Sequence, residues 1–364
     1  VKLMRDQIES VLRQTPQLKG SEIAKKIGVK KKKVNPFLYV NQDIFVQNSD
    51  FRWSIINPNE LTIEFESGQW IDCSSFENSL KSAGLILESE AASIVFILPN
   101  NCKMLLVVTA RFLALCNQLI ARGKKVAIDF NNCKQSLTYL DRLGFLDQLD
   151  KKILIRPERP TSSRAYIYKG NSDAVVELGN IDPDPRTDNN NLIVRLIDTF
   201  VGQSSEDYRV VATTIFGELI ENISEHSNTP IPGFAALQRY EGRKKHIQTV
   251  VSDSGEGIAK TLRPSLKQYY PSLYERYKDN SIKSDIGLVT EVLTKGDISR
   301  FGGARGLGLK SSREQAIKFN ARFSVRQECY SLEFVYEDDV LVDVNEEPDL
   351  IKICGTHVCF DFYC

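Results

Sequence analysis

The residues Glu218-Leu-Ile-Glu-Asn222-Ile-Ser-Glu-His226 set a carboxylate, a carboxamide and an imidazole four positions apart. On a helix that spacing lines them up on one face. The amide oxygen of Asn222 suits a hard Mg²⁺ ion bridging phosphates. The Glu218 carboxylate, one turn away, would orient or deprotonate a water or hydroxyl attacking a γ-phosphate. Taken alone, the stripe reads as a solvated helix face. Further on, Asp253-Ser-Gly255-Glu-Gly257-Ile258 ends a β-branched run at 248–252. An aspartate at a strand end accepts a hydrogen bond from a buried ligand amine, and the two glycines let the backbone turn tightly against a flat ring. Taken alone, this is an ordinary Gly-rich turn.

A third cluster, Gly302-Gly303-Ala-Arg305-Gly306-Leu307-Gly308-Leu309, precedes a helical pattern at 309–317. Backbone N–H groups at a helix N-terminus cradle phosphate. The loop is not a Walker A loop, since no Gly-Lys-Ser/Thr follows at the required spacing. It is not a Rossmann fingerprint either, since no strand leads directly into it.

The elements that must position these groups are legible in part. Residues 205–227 read as one helix, with Ser204 or Ser205 as its cap, Glu206 and Asp207 in its first turn, and Val211, Ile215, Leu219, Ile220 and Ile223 as its apolar face. The segment 248–252 reads as a strand. Residues 259–301 make a long connection, of the kind that is usually functional or mobile.

Together the motifs resemble the N, G1 and G2 boxes of the histidine-kinase-like ATPases (the GHKL superfamily), and Gly355-Thr356 resembles the start of that family's last strand. The resemblance covers residues 190–364 and implies an α/β sandwich that binds ATP with Mg²⁺. It implies that Asn222 holds the metal and Glu218 is catalytic. Asp253 would contact the adenine amine, with Gly255, Gly257 and Ile258 beside the base and Thr356 near it. Gly303, Arg305, Gly306, Leu307 and Gly308 would wrap the phosphates. The 259–301 segment resembles the ATP lid, with Lys283, Lys295, Arg300 and Arg305 available to phosphate, while Tyr269, Tyr270, Tyr274 and Tyr277 read as packing residues.

The chain's histidines are His226, His246 and His357, none ahead of the first motif, so a sensor histidine kinase would lack its acceptor. Glu218 matches both the hydrolysing branch and the anti-sigma-type serine kinases. His226 also resembles the latter, although a helix-packed histidine is the plainer reading.

The 364 residues suggest two or three domains, with balanced charge and an ordinary globular composition. No apolar run reaches membrane-span length and no signal-peptide pattern opens the sequence, so a cytoplasmic location without membrane contact is expected. The eight cysteines form no CxxC pair and read as reduced thiols. His357 and Cys359 share a strand face, where core packing is the expectation.

Residues 1–57 carry eleven Lys or Arg against five acids. Helical patterns at 4–13, 20–28 and 30–39, followed by an alternating hairpin at 44–55, resemble a bacterial winged helix. Lys30, Lys31, Lys32 and Lys33 would neutralise phosphates of duplex DNA, whereas Pro36 would shorten or kink the third helix. Docking protein is the alternative for this segment. Residues 58–182 alternate strands (93–98, 126–130) with helices (104–122, 137–149) and resemble a STAS-like domain. Asn100-Asn-Cys-Lys103 stands where that family has its phosphoacceptor Asp-Ser-Ser-Gly, so a docking or regulatory role is expected. The polar stretch 182–191 reads as a linker.

The expectation is thus a multidomain α/β chain: a winged helix (1–57), a STAS-like α/β domain (58–182) and a GHKL α/β sandwich (183–364). It would work as a Mg²⁺-dependent regulatory ATPase that switches contacts with a protein partner, a sister subunit or DNA. An anti-sigma-type serine/threonine kinase and a non-enzymatic ATP-binding, DNA-binding regulator are the alternatives.

Overall fold

The computed structural model describes residues 2–15, 17–42, 44–48, 50–55, 59–66, 68–184, 186–242, 244–295, 298, 321–337 and 340–363. The chain is mixed α/β with several sheets, as expected. It divides into two compact units, residues 1–61 with 90–93, and residues 62–89 with 94–364. No helix among the described residues is long and apolar enough to cross a membrane.

The first unit runs α1 (Lys2–Gln14), β1 (Leu18–Lys19), α2 (Gly20–Lys26), α3 (Lys31–Val40), β2 (Phe45–Gln47) and β3 (Arg52–Ile55). Its three strands pair in the order β1-β3-β2, all antiparallel. Ile8 and Leu12 of α1, Ile23 of α2, Val34 and Leu38 of α3, and Phe45 and Trp53 of the hairpin form its core. At Gly20, where α2 meets α3, an added Cβ would lie 2.0 Å from Asn35 Oδ1, so the Asn35 side chain would have to turn away. Pro36 does not shorten α3, which continues to Val40. The proline is exposed and sits past the first turn, so it removes a single helical donor while the buried Val34 and Leu38 hold both flanks. Lys30 caps α3, and Lys31, Lys32 and Lys33 form its first turn, all four exposed.

The second unit begins with β4 (Glu60–Glu64), β5 (Trp70–Ile71), α4 (Cys73–Ala83), β6 (Ser93–Ile97), β7 (Lys103–Met104), α5 (Leu106–Ala121) and β8 (Lys125–Asp129). It continues through α6 (Lys134–Arg142), α7 (Phe145–Gln148), β9 (Leu154–Arg156) and α8 (Arg164–Ile167). Strands β4-β6-β8-β9 form one sheet, with β8 and β9 parallel, and β5 pairs with β7. Phe65, Phe76, Phe96 and Phe145 pack ring against ring with Phe112 of α5. Gly144 separates α6 from α7 at φ 84°, where the sequence pattern breaks.

A seven-stranded sheet follows, built from β10 (Val175–Ile181), β11 (Gly233–Tyr240), β12 (His246–Ser252), β13 (Ala321–Gln327), β14 (Tyr330–Glu337), β15 (Val340–Glu347) and β16 (His357–Phe362). Its order is β10-β11-β12-β16-β13-β14-β15 and every neighbouring pair is antiparallel. The helices between these strands are α9 (Asn190–Gln203), α10 (Arg209–His226), α11 (Ile258–Tyr269), α12 (Pro271–Tyr277) and α13 (Ile282–Lys295). The stretch 182–189 is the turn from β10 into α9 inside this unit, fastened by Asn189 and Ser224 to the Asp182 carbonyl.

Candidate functional site

Helix α10 carries the first motif. Val211, Ile215, Leu219, Ile220 and Ile223 are all buried, as their spacing requires. Neither Ser204 nor Ser205 caps it: the Ser204 hydroxyl bonds back to Phe200 at the end of α9 (2.7 Å), and a 3₁₀ turn at Glu206–Tyr208 leads straight into α10. Glu206 is used instead to pair with Arg209. Glu218 and Asn222 are half-buried, one turn apart, and make no hydrogen bond or ion pair among the described residues. Burial, then the charges of Glu221 and Glu225, raises the Glu218 pKa. His226 is the last residue of α10, and its side chain lies outside the described structure.

Strand β12 delivers the second motif. Ile247 and Val251 join the core with α9 and α10. Gln248, Val250 and Ser252 alternate to the opposite face, opposite Asp361, Cys359 and His357 of β16. The Ser252 hydroxyl meets His357 Nδ1 at 2.5 Å, and His357 Nε2 lies 3.2 Å from the Cys354 carbonyl. His357 is therefore a hydrogen-bonded core residue. Burial, with the positive charges of Arg326 and Arg111, holds its pKa well below the usual value.

Past β12 the Asp253–Gly257 loop, the Gly355-Thr356 segment and the end of α10 come together around one carboxylate. Asp253 is buried; its Oδ1 accepts from the Gly255 N–H (2.6 Å) and its Oδ2 from the Thr356 N–H (3.2 Å). Its own N–H donates to the Thr356 carbonyl at 3.0 Å. Burial pushes the carboxyl up to about 6, partly offset by those N–H groups and the Thr356 side chain. A Cβ on Gly255 would lie 2.2 Å from the Ser227 carbonyl oxygen, so this loop rests on the C-terminal end of α10. Gly257, at φ 79°, opens α11, whose first N–H, from Ile258, donates to Gln327 Oε1 at 2.9 Å. Gln327 Nε2 is buried without a partner among the described residues.

Sequence reasoning missed Gln118, Ser254 and Gln327, which brace the loops on either side of Asp253. The signal for Gln118 was an amide, next to Asn117, in the apolar run of α5, 13 of whose 16 residues are buried.

Residues 258–295 are not an open connection. They form α11, α12 and α13, with Leu262, Leu266, Leu273, Leu288, Val289 and Val292 buried in the core. Tyr277 and Arg276 bond the same carboxylate, Glu291, at 2.7 and 2.9 Å, so Tyr277 is a packing residue as expected. Lys295 is also paired with Glu291, at 2.7 Å, while Lys283 is exposed. Arg300, Gly303, Arg305, Gly306, Leu307, Gly308 and the helix expected at 309–317 lie outside the described residues. A cavity of about 330 Å³ between α7, α8, β10 and α9 contains none of the residues singled out by sequence.

Comparison of the chain with protein-family models, with characterised proteins and with solved structures finds no match.

Proposed function

We propose that residues 183–364 form a GHKL-type ATP-binding domain and that the chain is a Mg²⁺-dependent regulatory ATPase. The observation that carries this reading is the convergence on Asp253. A buried carboxylate follows a strand, Gly355 brings backbone directly against Asp253, and Gly255 seats the same loop on the end of the Glu218–Asn222 helix. The fit to an adenine is chemical: the ionised Asp253 side chain has acceptor capacity beyond the two N–H groups it already holds. Asn222 offers an unengaged amide oxygen; Mg²⁺ characteristically takes few protein ligands and completes its shell with phosphates and water. The half-buried, raised-pKa Glu218 suits a general base for attack on the γ-phosphate. In this reading residues 58–182 act as a STAS-like regulatory module.

For the first unit, the favoured role is duplex-DNA binding through a winged helix. Four lysines stand at the positive end of α3, where cations oppose the helix dipole. None of them forms an ion pair among the described residues. Phosphate would relieve that crowding.

The deciding experiment incubates the purified chain with ATP labelled at the γ-phosphate. Release of free phosphate supports the ATPase, label on protein would indicate a kinase of the anti-sigma type, and unchanged bound ATP a binding-only regulator. No retention or turnover at millimolar Mg·ATP overturns the reading.

A further inference from the structure

Helix α5 lies on the face of the seven-stranded sheet opposite α9 and α10, fixed at both ends by side-chain hydrogen bonds. At its start, the Leu106 and Val107 N–H groups donate to the Tyr240 hydroxyl (2.9 Å) and to Gln248 Oε1 (3.0 Å). These are first-turn donors with no partner inside the helix, and the sheet supplies the acceptors. Near its end, Gln118 is 2 % exposed. Its Oε1 accepts from the Cys354 N–H (2.8 Å), and its Nε2 donates to the Cys354 carbonyl (2.9 Å) and to Ser254 Oγ (2.9 Å). The side-chain amide thus pairs with Cys354 as a neighbouring strand would.

The two segments it grips are those that hold Asp253. Ser254 follows that residue directly, and Cys354 stands two positions before Thr356, whose N–H bonds the Asp253 carboxylate at 3.2 Å. An amide is costly to bury in so apolar a helix unless its hydrogen bonds are made. Simple docking of α5 is already served by its apolar face and by Gln248.

We propose that Gln118 is a positioning residue for the nucleotide site: through it, α5 sets the spacing of the Ser254 and Cys354 segments and so the reach of Asp253 toward the base. The inference rests on the ATP-binding reading above. It makes α5 the element through which a change in the 58–182 region reaches nucleotide affinity, and linkage requires the reverse effect as well.

The test compares Gln118→Met with Gln248→Met in the full chain. Both keep side-chain bulk and delete hydrogen bonds that fasten α5, but the points they hold on the helix, Gln118 itself and Val107, are eleven residues apart, or roughly 16 Å. By calorimetry with Mg·ATP, Q118M should bind about tenfold more weakly than the parent. Q248M should stay within about twofold while losing a similar amount of thermal stability. Hydrogen exchange on the unmutated chain supplies a second readout that needs no variant to fold. Mg·ATP should slow exchange at residues 117–122 together with 253–258 and leave 106–110 unchanged. Affinity retained in Q118M, equal losses in the two variants, or protection confined to 253–258 overturns the proposal. If Asp253→Asn loses ATP while Q118M keeps it, only this inference fails. If the parent chain does not bind Mg·ATP, the nucleotide reading itself fails.

Discussion

Gly355 stands so close to Asp253 that a Cβ on it would lie 2.1 Å from the Asp253 carbonyl oxygen. It also holds φ at 98°, a conformation that L side chains rarely adopt. Steric need and conformational need coincide at one residue, beside the carboxylate expected to read the base. Gly123 provides the comparison: its φ of 77° is also positive, but nothing lies within 4 Å of its Cβ position. Gly123→Ala should cost about 1 kcal/mol of stability. Gly355→Ala should cost several times that, since backbone must move as well. Urea unfolding of the two variants gives the comparison, and equal costs would mean that the Gly355 contact yields freely.

Asp253 makes opposite demands on stability and on binding as pH changes. Its folded-state pKa, about 6, lies above the ordinary aspartate value. The folded chain therefore holds this proton more tightly than the unfolded one. The stability contributed by the neutral form is fully present below the unfolded pKa of about 4 and is lost as pH rises through 6, on the order of 3 kcal/mol in all. Adenine recognition needs the ionised form, so ATP affinity should fall as pH drops below 6. Asp253→Asn should abolish both trends and weaken ATP binding about tenfold or more, with a smaller effect on GTP. Parallel pH series of melting and calorimetry, on parent and variant, test the sign of each.

Glu218→Ala should leave ATP binding near the parent value and reduce turnover by roughly 10²–10⁴. In the parent, turnover should decline as pH falls through the raised pKa of Glu218. Asn222→Ala should instead lose the Mg²⁺ dependence of binding. Parent-like turnover in the Glu218 variant would make that residue part of a solvated helix face and favour the binding-only regulator.

The helix bearing Glu218 and the strand bearing Asp253 are readable because their signals are local, in apolar positions at helical spacing and in a β-branched run closed by glycines. What closes the site is not local. Gln118 meets Cys354 across 236 positions, and Glu77 meets Arg326 across 249. The first pair joins the 58–182 region to the loop ahead of β16 and the second joins it to β13, and β10, at Val175–Ile181, is itself an edge strand of the same sheet. Nothing in the local pattern of a polar stretch at 182–191 distinguishes a linker between domains from a turn within one. Pro36 erred in the opposite direction: local propensity predicted a break, and packing of Val34 and Leu38 carried the helix through.

Arg326 is fully buried, and its guanidinium meets Glu77 at 2.7 and 3.1 Å, with backbone carbonyls taking its remaining donors. Arg111 approaches the same carboxylate at 3.6 Å. Removing Glu77 leaves two buried cations without their anion, so Glu77→Ala should cost about 3–5 kcal/mol. Chemical denaturation measures it. A loss under about 1 kcal/mol would mean that water reaches the guanidinium groups.

The continuation of α3 past Pro36 changes what the first unit should do with DNA. With the helix intact to Val40, Lys30, Lys31, Lys32 and Lys33 occupy its leading end and the proline no longer limits its reach into a groove. Duplex DNA should bind with an affinity that falls steeply with salt. Replacing the four lysines by glutamine should lower the log–log salt slope by about 3–4, at roughly 0.9 per phosphate contact. Such contacts carry affinity but no sequence information, so the variant should weaken binding to all duplexes about equally. Fluorescence anisotropy across a salt series separates the possibilities. An unchanged slope would remove the lysines from the interface, and no duplex binding at micromolar protein and low salt would leave this unit as a protein-docking domain.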